Sequence, residues 1–151
     1  GVAAGETRLI RAADHGETVL AELAATGLLP NWIDVTVSGF ADPPDHEVIW
    51  GYDALRVPLY LTWSGRRDHA AVVLGLSLLT ENTDDHHLAV EVTVSGDVRT
   101  QSNLPGYHAI LDVAACRRPL SLERIGQPAF YYPDTLALLA DVAARESGCA
   151  F

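Results

Sequence analysis

The sequence WGYDALRVPLYL, residues 50–61, is the stretch around which the chain is organised. A loop rich in Asp and Pro precedes it, and an apolar helical run follows it. We expect Asp53 at or near the start of this helix, where backbone N–H groups and the helix dipole favour a carboxylate. Arg56, three residues later, lies on the same face and favours the same ionised form. Asp53 is therefore interpreted as a base or acceptor. The alternative is an ordinary N-cap aspartate with an exposed arginine partner.

Helical patterns dominate the rest of the chain. A possible capping box, Asp14 with Glu17, predicts a break at residues 14–16. Gly27 predicts a helix stop. Pro58 lies inside a predicted helix, so that helix either kinks there or begins one turn later. Apolar spacing predicts helices over residues 6–13, 17–26, 53–63, 69–79, 105–116 and 132–146.

Two short runs have the alternating pattern of strands. Residues 33–38 and 90–95 alternate apolar and polar side chains. Each run ends within the same sequence, Val-Thr-Val-Ser-Gly, at residues 35–39 and 92–96. A duplicated unit would explain the likeness, but the surrounding sequences do not repeat. We expect the two runs to pair as a small ribbon beside a helical body. Composition and periodicity alone thus predict a mainly α fold with a little β structure.

Composition excludes several classes of partner. The chain has 151 residues, 48% of them hydrophobic, which suits one globular unit. Its formal charge of −10 argues against binding to nucleic-acid phosphates or to an anionic membrane surface. No apolar run is long enough to cross a bilayer. A neutral ligand such as a glycan is compatible with this charge.

Cysteine and histidine give no strong sign of a metal or cofactor. Cys116 and Cys149 either form a disulfide in an oxidising compartment or remain free. Residues 84–87, Asp-Asp-His-His, suggest a metal site, but adjacent residues do not easily converge on one ion, so a solvated turn is favoured. There is no zinc spacing and no glycine-rich phosphate loop. We expect no metal and no cofactor.

Four segments resemble glycoside hydrolase family 8, the bacterial cellulases and related endoglucanases. Residues 51–58, GYDALRVP, resemble its Y-D-A-x-R-x-P segment. Residues 27–32, GLLPNW, resemble its G-L-x-P-D-W, with Asn31 in place of the usual Asp. Residues 103–109 resemble a Gly-aromatic-x-Ala helix start, and residues 131–136, YYPDTL, a Y-Y-x-x-x-L segment. The resemblance covers nearly the whole chain but only the C-terminal half of a typical member.

The resemblance implies a fold and an activity. The fold is an (α/α)6 barrel of the six-hairpin glycosidase type, with residues 1–151 as the C-terminal half of a single catalytic domain. The activity is that of an inverting endo-β-1,4-glucanase, a cellulase that is secreted or periplasmic. Asp53 matches the general base, and the general acid is a glutamate in the N-terminal half. Methionine is absent, so we expect a processed or trimmed piece. Alone, it is expected to lack activity and to fold poorly.

The resemblance also implies substrate-binding residues. Tyr52 and Arg56 flank the base as positioners of substrate or base, and the alternatives are a core tyrosine and a structural salt bridge. Tyr131 and Tyr132 are favoured for the cleft, while Trp50 remains a further candidate. Trp32 is another exposed-aromatic candidate. The glutamates interpreted as solvated surface are Glu17, Glu22, Glu81, Glu91 and Glu146. Glu47 is the glutamate nearest Asp53 in sequence, but it sits in a loop.

Two other functions stay open. One is a non-catalytic helical module that binds a glycan or a protein. The other is a xylanase, chitosanase or lichenase of the same family. For the leading interpretation, the expected partners are a β-1,4-linked polysaccharide or oligosaccharide and the N-terminal segment of the same protein.

Overall fold

A computed structural model describes residues 5–81, 83–84, 86–117 and 130–148. Within these residues the chain forms five helices and five short strands. In chain order they are α1 (Thr7–Ala24), β1 (Asp34–Thr36), β2 (Gly39–Ala41), β3 (Ile49–Trp50), α2 (Arg56–Trp63), α3 (Ala70–Thr80), β4 (Leu88–Thr93), β5 (Val98–Ser102), α4 (Pro105–Ala114) and α5 (Tyr131–Glu146). The mainly helical class with a small β content is confirmed at this level of detail. None of these helices combines the length and apolar character needed to cross a membrane.

The first helix is continuous, so the predicted break at residues 14–16 is wrong. Asp14 does not close a capping box: its carbonyl oxygen accepts a hydrogen bond from the hydroxyl of Thr18 at 3.1 Å. The Glu17 carboxylate instead pairs with Arg66, at 2.5 Å. Asp14 and Glu17 therefore have partners other than each other. The helix continues through Gly16 and packs on α3.

The other helices follow the sequence signals closely. Of the two predicted outcomes for Pro58, the later start is correct, because α2 begins at Arg56 and Pro58 falls in its first turn. A proline there removes no helical hydrogen bond, since the first-turn N–H groups have no partner within the helix. His69 is the N-cap of α3, and its Nδ1 accepts from the N–H of Ala71 at 3.1 Å. The predicted stop at Gly27 is confirmed by its φ of +86°.

The predicted ribbon between residues 33–38 and 90–95 is wrong. Strand β1 pairs with β2, with Thr36 opposite Gly39, and β4 lies between β3 and β5. The shared Val-Thr-Val-Ser-Gly run is a hairpin signal in both places, because Gly39 and Gly96 adopt φ values of +119° and +86°. Each run therefore folds back on the residues that follow it instead of pairing with the distant copy.

The core surrounds α2. This helix packs on α3, α4 and α5, while β4 of the three-stranded sheet packs on α3 and α4. The largest fully buried side chains include Trp50, Leu55, Leu59, Leu79, Ile110 and Leu136. The loop that carries Asp53 joins β3 to α2, so both ends of this loop are held by buried structure.

Candidate functional site

Asp53 lies in a tight turn between β3 and α2. The N–H of Leu55 donates to the carbonyl oxygen of Gly51 at 2.9 Å, and that of Val57 donates to Ala54 at 2.9 Å. The helix begins three residues after Asp53, which confirms the predicted position near a helix start. The N-cap residue is Leu55, and no side chain caps the helix. The Asp53 carboxylate is therefore not used as an ordinary helix cap.

Arg56 binds the Asp53 carboxylate. Its Nη2 donates to Asp53 Oδ1, and its Nε donates to the Asp53 carbonyl oxygen at 3.4 Å. The two side chains are 40% and 43% exposed. One oxygen of the carboxylate thus has a cationic partner, while the group remains open to solvent or to a ligand.

Asn31 supports the same turn from the backbone side. Its Oδ1 accepts hydrogen bonds from the N–H groups of Asp53, at 3.1 Å, and Ala54, at 3.0 Å. Its own N–H donates to the carbonyl oxygen of Ile49 at 2.7 Å. In the sequence, Asn31 stands out only as a departure from a family motif. Nothing in residues 27–32 indicated that Asn31 would contact the segment 51–58.

Three tyrosines form a cluster beside this turn. The hydroxyl of Tyr132 donates to the carbonyl oxygen of Tyr52. The rings of these two residues meet edge to face, with centroids 5.6 Å apart and planes at 86°. Tyr107 lies on another side of Tyr132, at 6.4 Å between centroids. These contacts tie the start of α5 to the Asp53 turn.

The surroundings of Tyr107 and Tyr132 keep these two phenols protonated. Burial raises the pKa of Tyr107 to about 12, and the neighbouring Tyr52 and Glu91 act in the same direction. Burial also raises the pKa of Tyr132 well above its usual value. Arg56 opposes that rise, whereas Asp53 adds to it, so the ion pair lies within electrostatic reach of the cluster. Both hydroxyls are therefore available as neutral hydrogen-bond donors.

A pocket of about 390 Å³ opens against these tyrosines. One part of its wall is aromatic and another part is the polar strand β5, a combination that suits a ligand with both flat apolar faces and hydroxyl groups. Phe130 and Tyr131 are strongly exposed at its edge. The lining residues are Tyr52, Val90, Thr100, Gln101, Ser102, Leu104, Tyr107, Phe130, Tyr131, Tyr132 and Pro133.

The predicted aromatic residues do not all meet at this pocket. Tyr52, Tyr131 and Tyr132 line it. Trp50 is fully buried in the core, where its indole N–H has no hydrogen-bond partner within the described part of the chain, so its ring is not open to stacking. Trp32 is half exposed but lies outside the pocket lining, where it stacks on His46 with centroids 4.7 Å apart.

Glu91 contacts a residue of the pocket wall, so its predicted place on the solvated surface is wrong. Its side chain is half-buried and accepts a hydrogen bond from the hydroxyl of Thr100, which lines the pocket. Its charge is also among the causes that raise the pKa of Tyr107. No local signal indicated this contact, because the alternation of a strand places Glu91 on the face opposite Val90 and Val92.

The other glutamates lie away from the pocket lining. Glu22 and Glu81 are exposed, as predicted. Glu146 is also exposed, and it accepts a hydrogen bond from Trp63 Nε1 at 2.8 Å. A hydrogen bond from Arg99 lowers the pKa of Glu47, and this favours the ionised form over a proton donor.

No metal site is formed within residues 5–81, 83–84, 86–117 and 130–148, where no three His, Cys, Asp or Glu side chains are grouped to hold an ion. In the Asp-Asp-His-His segment, the N–H of His87 donates to the Asp84 carbonyl oxygen at 3.0 Å, as in a turn. Asp85 lies outside the described residues. Cys116 is disulfide-bonded, and the chain's other cysteine, Cys149, lies outside the described residues.

Comparison of this chain with protein-family models, curated proteins and solved structures finds no match. Evidence for a function therefore comes from the geometry around Asp53 and from the chemistry of the pocket that Tyr52 lines.

Proposed function

We propose that this chain is part of an inverting glycoside hydrolase that cleaves β-1,4-linked glucan, with Asp53 as the general base. One observation carries the proposal: the Asp53 carboxylate is paired with Arg56 and accessible, and the preceding residue, Tyr52, lines an aromatic pocket. In an inverting hydrolase, such a carboxylate removes a proton from the attacking water. The hydrogen bond from Arg56 holds the carboxylate in one orientation.

The pocket supports a carbohydrate ligand. A pyranose ring presents an apolar face that stacks on aromatic side chains, and Tyr131 offers an exposed ring for this purpose. Sugar hydroxyls need hydrogen-bond partners, and β5 supplies Thr100, Gln101 and Ser102 at the pocket wall. A pocket of this composition binds a neutral polar ligand without requiring positive charge.

The reaction needs a second carboxyl group as proton donor. In this proposal the donor is a glutamic acid from a segment outside this chain, about 6.5–9.5 Å from the base, a distance that leaves room for the water. Residues 1–151 then form the C-terminal half of an (α/α)6 catalytic domain. The packing of α2 on α3 and of α4 on α5 supports that assignment, because such a barrel is built from paired helices.

The decisive test is Asp53→Asn in the full-length protein, assayed on a soluble cellulose derivative. Asparagine keeps the shape but cannot accept the proton, so kcat should fall by ~10²–10⁴-fold while KM changes little. Asp34→Asn, at an exposed strand residue, is the control and should retain activity. Near-wild-type turnover by Asp53→Asn would remove this residue from the mechanism and defeat the proposal.

A non-catalytic glycan-binding module is the second candidate. It is favoured by the exposed Phe130 and Tyr131, whose rings would bind a sugar without any contribution from Asp53. The two functions differ in one measurement. If the full-length protein binds cello-oligosaccharides but releases no reducing ends on long incubation, the binding module is correct. A panel of xylan, chitosan and mixed-linkage glucan identifies the preferred sugar.

A further inference from the structure

Two sequence segments that are 22 residues apart meet at one side-chain oxygen. Asn31 follows α1 and precedes β1, whereas Asp53 belongs to the turn before α2. The Oδ1 atom of Asn31 accepts from the consecutive N–H groups of Asp53 and Ala54. Both donors are backbone groups, so the orientation of the amide is determined: its oxygen must face the turn.

We propose that Asn31 is a positioning residue for Asp53, acting through the backbone from which the carboxylate projects. The inference rests on the proposed role of Asp53 as a base. Asp53 is then held at two points. Arg56 donates a hydrogen bond to its carboxylate oxygen, and Asn31 accepts one from its backbone N–H. Asn31 is itself anchored, because its N–H donates to Ile49 in β3 at 2.7 Å.

The two N–H groups that Asn31 binds precede the helix. Residues 53 and 54 come before the first residue of α2, so their N–H groups have no place in the helical hydrogen-bond pattern. Without Asn31 they would need water, and Ala54 is only 4% exposed. A buried N–H without an acceptor is costly, so the turn would rearrange. Such a rearrangement displaces the carboxylate, and catalysis is sensitive to displacements of about 1 Å.

Gly51 allows this close contact. A methyl group at Gly51 would lie 3.0 Å from Asn31 Nδ2, and it would also lie 3.4 Å from the Val90 carbonyl oxygen and from Glu91 Cγ. The turn is thus enclosed by Asn31 on one side and by β4 on the other. A side chain at residue 51 would therefore crowd the Asn31 amide.

The test compares Asn31→Leu with Asn31→Asp in the full-length protein. Leucine fills similar space without an acceptor, so amide hydrogen exchange at residues 53 and 54 should become faster, by up to about tenfold. The kcat on a soluble cellulose derivative should fall by ~10²-fold with KM little changed. Aspartate keeps an oxygen in the same place and should restore slow exchange and much of kcat.

Thr36→Val is the matched control. It removes another side-chain acceptor of a backbone N–H, that of Ser38 at 3.2 Å, in the exposed β1–β2 hairpin. It should leave exchange at residues 53 and 54 and kcat unchanged.

Three results would overturn the inference. Unchanged exchange in Asn31→Leu would disprove the hydrogen bonds. Faster exchange with wild-type kcat, alongside an inactive Asp53→Asn, would disprove positioning while the proposed function stands. Near-wild-type turnover of Asp53→Asn would defeat the proposed function and the positioning role with it, even if Asn31→Leu showed faster exchange.

Discussion

Gly106 in α4 lies directly against the backbone of Pro133 in α5. A methyl group at Gly106 would lie 1.8 Å from the Pro133 carbonyl oxygen and 2.8 Å from its Cα. Tyr131 and Tyr132 immediately precede this contact and line the pocket. The close approach of the two helices, which only glycine permits, therefore sets where the aromatic wall stands.

Gly106→Ala should destabilise the full-length protein by about 1–3 kcal/mol or more, because backbone atoms cannot move aside as a flexible side chain can. Gly16→Ala is the matched control. Gly16 lies inside α1 with no atom within 4 Å of its added methyl group. That change should raise stability by about 0.5–1 kcal/mol. Urea unfolding of both variants measures the difference, and shifts of the same sign would contradict the contact.

Arg56→Ala should reduce kcat by roughly tenfold, since a charge-assisted hydrogen bond to an exposed carboxylate is lost while the base itself remains. The loss should be smaller than that in Asp53→Asn. Arg56→Lys keeps the charge without the guanidinium fork and should be intermediate. Steady-state kinetics on one soluble substrate rank the three variants. If Arg56→Ala were as inactive as Asp53→Asn, Arg56 would have a role beyond holding the base.

Tyr107 should make the protein sensitive to high pH. Its pKa is about 12 in the folded state, against 10.0 for an ordinary tyrosine. Between pH 10 and pH 12 the folded state therefore binds the Tyr107 proton more tightly than the unfolded state does. The corresponding stability is fully present below pH 10 and is lost as the pH rises through 12. The loss amounts to roughly 2–3 kcal/mol.

Tyr107→Phe should flatten that part of the stability profile. Tyr132 acts in the same direction, so some pH dependence should remain in the variant. Urea unfolding at intervals from pH 9 to pH 11 provides the comparison. Identical slopes for the wild type and Tyr107→Phe would show that Tyr107 does not contribute.

Cys116→Ala should lower the free energy of unfolding by about 2–4 kcal/mol, because a disulfide restricts the unfolded chain. Cys116 lies two residues after the end of α4 and has a φ of +51°. Alanine also carries a Cβ, so the substitution leaves the backbone strain at this position unchanged while it removes the cross-link. The thermal midpoint in non-reducing buffer is the measurement. A midpoint equal to that of the wild type would mean that the bond adds no net stability.

Local signals were enough to predict most of the helices. The start of α2 and the position of Pro58 follow from one property of proline, its missing N–H. Residues 69–79 and 132–146 match α3 and α5 within one residue at each end, because apolar spacing and end signals operate within a few residues. The place of Asp53 before a helix was predictable on the same basis.

The long-range partners of individual side chains were not predictable, because tertiary packing decides which distant residues come together. The predicted capping box at Asp14 does not form, and Glu17 instead makes a salt bridge with Arg66, 49 residues later in sequence. Trp50 was predicted as a candidate for stacking on a sugar, but it is fully buried in the core. Glu91 accepts a hydrogen bond from Thr100 on the neighbouring strand, and Thr100 lines the pocket.

The sequence by itself determined the helical class, the position of Asp53 ahead of α2 and its partner Arg56, because these depend on contacts within one turn of chain. The tertiary structure alone decided that Asn31 would bind the Asp53 turn and that Tyr52, Tyr107 and Tyr132 would line one pocket. Such contacts join segments tens of residues apart. Side chains so distant in sequence meet only when burial of the apolar helix faces has set the distances between them.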